Sequence, residues 1–170
     1  SSATISSNSP TISKLRQANV TPMKCSTTAG DYSANPAGPQ YNLGDRVCFL
    51  LSVNFPAGVD TKMAQLTDFL PTNFAYESYQ VIAGAGLVNS FAQPASATGG
   101  VATWYLGSGN PRIVGKGAKF QVVLSATVVK SATATSTNPK TLDKENLAKF
   151  RWVNTAGQAS SLRDSSVITM

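Results

Sequence analysis

The stretch KFQVVLSATVVK, residues 119–130, decides the fold. It has no glycine or proline, is rich in β-branched residues, and is the longest strand signal in the chain. A second strong strand reads over Arg46–Asn54 (RVCFLLSVN), and Phe74–Ala83 (FAYESYQVIA) alternates apolar and polar residues as a half-buried strand does. Shorter strands are expected at Thr11–Lys14, Val20–Thr27, Val101–Leu106, Arg112–Val114, Phe150–Asn154 and Val167–Met170. Another is expected at Lys62–Thr67, ending at Asp68, with Pro71 stopping any ladder there.

The intervening segments are turns and loops. Asn42–Asp45 and Gly107–Asn110 read as turns, and Thr28–Tyr41, Gly84–Thr98 and Ser131–Pro139 as loops. Thr141–Lys149 is the one good helical turn, with Thr141 placed to cap it. Ser1–Pro10 is polar and reads as a linker or lead-in. The pattern predicts an all-β fold, an immunoglobulin-like Greek-key β-sandwich with one short helical turn, built as a single domain over residues 11–170.

Composition narrows the function. Of 170 residues, 42% are hydrophobic and only 13% charged, which suits an extracellular β-domain better than a cytosolic enzyme. No apolar run of about 18 residues exists, so no membrane span is expected, and the polar N-terminus carries no signal-peptide pattern. The 14 basic and 8 acidic residues are dispersed. That is a solvated, mildly basic surface, and no nucleic-acid partner is expected.

Histidine is absent, which removes a Ser-His-Asp triad and any His-based metal site. No phosphate-binding loop or calcium-loop spacing occurs, and the eight carboxylates are too scattered to nominate a glycosidase pair. No metal and no cofactor are expected. Cys25 and Cys48 are either two buried thiols or one disulfide. A secreted chain favours the disulfide, which would close a loop of about 20 residues and contribute about 3 kcal/mol.

Three motifs occur in order. Leu43-Gly44-Asp45-Arg46 leads into a strand, Leu66-Thr67-Asp68-Phe69-Leu70-Pro71 precedes Phe74-Ala75-Tyr76, and Trp152-Val153-Asn154-Thr155-Ala156 closes the domain. In that order they resemble the isopeptide-forming immunoglobulin-like domains of bacterial surface adhesins and pilus backbones, of the collagen-adhesin A type. The resemblance covers roughly residues 11–160. It implies an intramolecular bond between a lysine of the first strand and an asparagine of the last, assisted by a buried acid. Mapped residue by residue, the lysine is Lys14, the acid Asp68 and the acceptor Asn154. Lys24 is the alternative nucleophile and Glu77 the alternative acid. Each also has an ordinary reading: an exposed lysine, a turn carboxylate, an asparagine capping a turn.

Those residue types suit the chemistry. Lysine is nucleophilic only when neutral, and burial lowers its pKa. A protonated carboxylic acid can donate to the amide oxygen and stabilise the tetrahedral intermediate, and burial raises its pKa. The resemblance implies a stalk or adhesin module on a bacterial cell surface or cell wall, whose chemistry is a single self-modification rather than turnover. Its partners would be neighbouring domains of the same surface protein. The alternative is a ligand-binding module that contacts a host protein or glycan through the segments Gly84–Gly100 and Ser131–Lys140.

Overall fold

The computed structural model describes residues 9–18, 23–34, 42–93, 99–129, 147–154 and 161–164. The two strongest strand signals lie side by side. β3 (Arg46–Asn54) and β9 (Lys119–Val128) pair antiparallel along their whole length, from Arg46 opposite Thr127 to Asn54 opposite Lys119. Around them sheet A is completed by β1 (Thr11–Gln17), β2 (Tyr32–Ser33) and β5 (Phe74–Ala83), in the order β2-β1-β3-β9-β5.

Sheet B contains β4 (Thr61–Leu70), β6 (Val88–Ala92), β7 (Gly100–Leu106), β10 (Leu147–Asn154) and β11 (Ser161–Asp164). Its order is β11-β10-β4-β7-β6, with the short β8 (Ile113–Val114) pairing β4 beyond that path. The chain crosses between sheets at β3–β4, β4–β5, β5–β6, β8–β9 and β9–β10, as a Greek-key sandwich requires. The fold is all-β and immunoglobulin-like.

Period-two alternation explains the core. Val47, Phe49, Leu51 and Val53 of β3 and Phe120, Val122, Leu124, Ala126 and Val128 of β9 face inward. Leu66, Trp104 and Phe150 meet them from sheet B, each fully buried. On one side the sandwich closes with an aromatic cluster: Tyr79 and Phe91 lie 4.4 Å apart between ring centroids, and both contact Trp104. On the other side β1 approaches β10.

Several expected boundaries differ. Gly84–Thr98 was expected as loop, yet it holds a 3-10 turn at Ala85–Leu87 and β6. Val88 and Phe91 pack on the core from this short edge strand, and five residues are too few to register as a periodic signal. Tyr32–Ser33 lies within an expected loop and pairs with β1. Met23–Thr27, expected as part of a strand, is irregular because Cys25 is tied to Cys48. β4 runs through Asp68 to Leu70 rather than ending there, and Pro71 stops it. The helical turn fails where it can be seen: Leu147–Lys149 is strand, because pairing with β4 overrides a weak local preference. The rest of that segment, and Val167–Met170, lie outside the described residues, and β11 was not anticipated.

Candidate functional site

β1 reads T-I-S-K-L-R-Q, and its alternation turns Ile12, Lys14 and Arg16 toward sheet B while Leu15 faces the opposite way. Ile12 is an ordinary core residue, but the next two inward positions are a lysine and an arginine. Both are buried, Lys14 completely. β4 shows the same departure. Ala64, Leu66 and Leu70 occupy its inward face, and Asp68 sits among them with no exposed surface.

The two departures meet. Lys14 Nζ donates to Asp68 Oδ1 at 2.6 Å, between side chains that are both fully buried. The ammonium end also lies 4.6 Å from the centre of the Phe49 ring. Local sequence makes room for the contact. The residues flanking Asp68 in sheet B are Ala148 on β10 and Ala102 on β7, both fully buried. Two alanines leave the volume through which a lysine from the facing sheet reaches the carboxylate.

Burial governs the protonation of the pair. It pushes the Lys14 amine below its ordinary pKa, against the pull of Asp68. It pushes the Asp68 carboxyl up, against the pull of Lys14. For both groups desolvation is the larger influence and the mutual attraction the smaller, so each is displaced from its ordinary pKa toward its neutral form. The second carboxyl oxygen, Oδ2, is buried and makes no hydrogen bond to a described residue. The arrangement therefore sets a buried amine against a buried carboxyl group that keeps one oxygen without a hydrogen bond to a described residue.

The other site residues fall elsewhere. Asn154 stands opposite Thr61, whereas Asp68 stands opposite Ala148. Six residues of β10 separate those levels, about 20 Å at the usual rise per residue. The structure therefore does not bring Asn154 to the Lys14–Asp68 pair, and its side chain lies outside the described residues. Lys24 is exposed beside Met23 on the outer side of sheet A and is no counterpart of Lys14. Glu77 is also outside. It accepts two hydrogen bonds from Arg46 at 2.8 and 3.2 Å and one from Ser125. Those donors, Arg46 first, hold its carboxyl below the usual range, the opposite of what an acid donor needs.

Cys25 and Cys48 form a disulfide with Cα atoms 5.6 Å apart. Among the described residues, no group of His, Cys, Asp or Glu is arranged to hold a metal, and no helix is long and apolar enough to cross a membrane. Sequence reasoning missed Arg16, Ala102 and Ala148. The signal was present in the alternation itself, which set charged residues at inward positions of β1 and alanines at inward positions of β7 and β10.

No protein-family model and no curated protein matches the chain. Its fold does match solved structures. The full-length major pilin SpaD from Corynebacterium diphtheriae aligns over 92% of this chain and 33% of its own, at 10% identity and a TM-score of 0.56. BcpA, the major pilin subunit of Bacillus cereus, aligns over 94% of this chain and 39% of its own, at 14% identity and a TM-score of 0.54. The chain thus spans between a third and two-fifths of each, and at these identities the likeness is one of fold.

Proposed function

We propose that this chain is a structural module of a bacterial surface protein, of stalk or pilus-subunit type, strengthened by a self-made isopeptide bond from Lys14. The observation that carries this reading is the fully buried Lys14–Asp68 contact, with both groups driven toward neutrality. A buried pair of this kind is costly for stability alone, since apolar replacements often do as well. The pilins that share the fold support an extracellular location and association with further domains or subunits.

In the reaction Lys14 Nζ attacks the Cγ of an asparagine side chain. Asp68 donates to the amide oxygen as the tetrahedral intermediate forms. It then relays the proton lost by the amine to the leaving nitrogen. One C–N bond forms, one breaks, and ammonia leaves. The fold supplies proximity, which can be worth about 7–11 kcal/mol of barrier.

The acceptor must come from near the level of Ala148 rather than from the far end of β10. Asn146 precedes Ala148 by two in sequence, and we assign it as the acceptor in place of Asn154. Intact mass and peptide mapping test the assignment. Loss of one ammonia, about 17 Da, with Lys14 and Asn146 in one branched peptide is expected. An unmodified mass, after allowance for the disulfide, overturns the bond. A loss of about 18 Da joining Lys14 to Asp68 would make Asp68 the acceptor instead of the acid.

A further inference from the structure

The outer face of sheet A carries a second, smaller core. Cys48, Leu50 and Val123 point away from the sandwich interior and are nevertheless buried, beneath Tyr32 and beside Leu15, Cys25, Ala29 and Ile82. The cover is the segment 23–33, which ends in β2 paired to β1. None of its residues belongs to the main core. It is a strap laid over the sheet.

Among the described residues, the strap is held, besides the disulfide, by the apolar packing of Tyr32 and Ala29 and by a small set of polar contacts. β2 pairs with β1 at only two positions, Arg16 with Ser33 and Gln17 with Tyr32. The Ser26 amide donates to Gln17 Oε1 at 2.9 Å, and the Tyr32 hydroxyl donates to the Ser26 carbonyl at 2.7 Å. The Ala18 amide donates to the Asp31 carbonyl at 3.2 Å. By contrast β1 is paired with β3 over six positions and anchored inside by Lys14.

The disulfide is also reachable. Cys48 is buried, but Cys25 lines a surface cleft of about 380 Å³ whose walls include Met23, Lys24, Arg46 and Tyr79. Lys24 and Arg46 give that cleft two cations to set against Glu77, which favours approach of a thiolate.

We propose that Cys25–Cys48 is a redox-operated latch on the strap. A thiol reductant attacks Cys25 from the cleft. Two reductant thiols give up two electrons and two protons, the S–S bond becomes two cysteine thiols, and the reductant leaves as its own disulfide. The strap then detaches, and the apolar strip of Leu50, Val123 and Ile82 is uncovered while the sandwich stays folded. This inference does not depend on the isopeptide bond.

Hydrogen–deuterium exchange on the oxidised chain, with and without excess dithiothreitol, tests it. Amides in 23–33 should exchange about ten-fold faster or more after reduction, while β3 and β9 keep their protection. The Cys25→Ser/Cys48→Ser double variant should show the same pattern without reductant. Unchanged exchange in the strap would overturn the latch, because the remaining contacts would then suffice. Loss of protection in β3 and β9, or failure of the double variant to fold, would equally overturn it, because the disulfide would then staple the whole domain.

Discussion

Lys14 and Asp68 lie 54 residues apart in the chain and on opposite sheets, and their side chains meet at 2.6 Å with no solvent contact. Lys14 comes from the first strand and Asp68 from the strand next to the last paired ones, so the contact ties the two sheets where β1 approaches β10. Most of what can be tested about the chain follows from that pair.

Removing one partner should be severe. Asp68→Ala leaves an amine in an apolar site and removes the acid. The isopeptide mass loss should disappear, and stability should fall by about 3–5 kcal/mol beyond the loss of the cross-link itself. Intact mass and urea unfolding against a non-cross-linked reference, Asn146→Ala, separate the two effects.

Removing both partners should not be severe. Lys14→Met combined with Asp68→Leu replaces the pair with apolar groups of similar size. Against the same non-cross-linked reference, stability should be unchanged or raised by about 1–4 kcal/mol. A double-mutant cycle should give a coupling energy above about 0.5 kcal/mol. A double variant as weak as either single one would mean the pair is needed for packing rather than chemistry.

The single variants should respond to pH with opposite signs. In Lys14→Met, burial alone raises the Asp68 pKa above its unfolded value near 4. Above that pH the folded state binds more protons than the unfolded one, so stability falls as pH rises. In Asp68→Ala, burial holds the Lys14 pKa below its unfolded value near 10.4. Below that pH the unfolded state binds more protons, so stability rises with pH. Urea midpoints at about pH 5, 7 and 9 should slope in opposite directions, each by at most about 1.4 kcal/mol per pH unit.

Ala148 should be intolerant of bulk. Ala148→Leu puts three more carbons beside Asp68, where a fully buried alanine now sits. Overpacking should cost about 1–3 kcal/mol. It should also slow bond formation at least ten-fold, by displacing reacting groups that must meet within about 3.5 Å. A time course of intact mass after refolding measures it.

Glu77 should be dispensable for the bond. It faces solvent and pairs with Arg46. Glu77→Gln should leave the mass loss intact and change stability by less than about 1 kcal/mol. Loss of the bond in this variant would move the acid from Asp68 to Glu77.

Much of the architecture was legible from periodicity. The long runs at Arg46–Asn54 and Lys119–Val128 have no competing local structure, and they became the paired centre of sheet A. β6 and β11 were not legible, because strands of five and four residues carry too little alternation to stand out from loops. Lys14 and Asp68 were reached through motif order. Their inward placement could also have been read from Ile12-Ser13-Lys14 and from Leu66-Thr67-Asp68-Phe69-Leu70. Asn154 shows the limit of that reading. It lies on the expected strand, opposite Thr61 and far from the level of Asp68.

By itself the sequence determined which residues face inward, because side chains alternate along a strand whatever its neighbours are. It thereby set two opposite charges, Lys14 and Asp68, on inner faces. Only the tertiary structure decided that they meet, and which part of β10 lies beside them. Register is a relation between strands, set by how whole hydrophobic faces pack, and a shift of six residues leaves every alternation pattern intact. The same packing displaces the pKa of both groups. Neither group leaves its ordinary pKa until the facing sheet removes water from both.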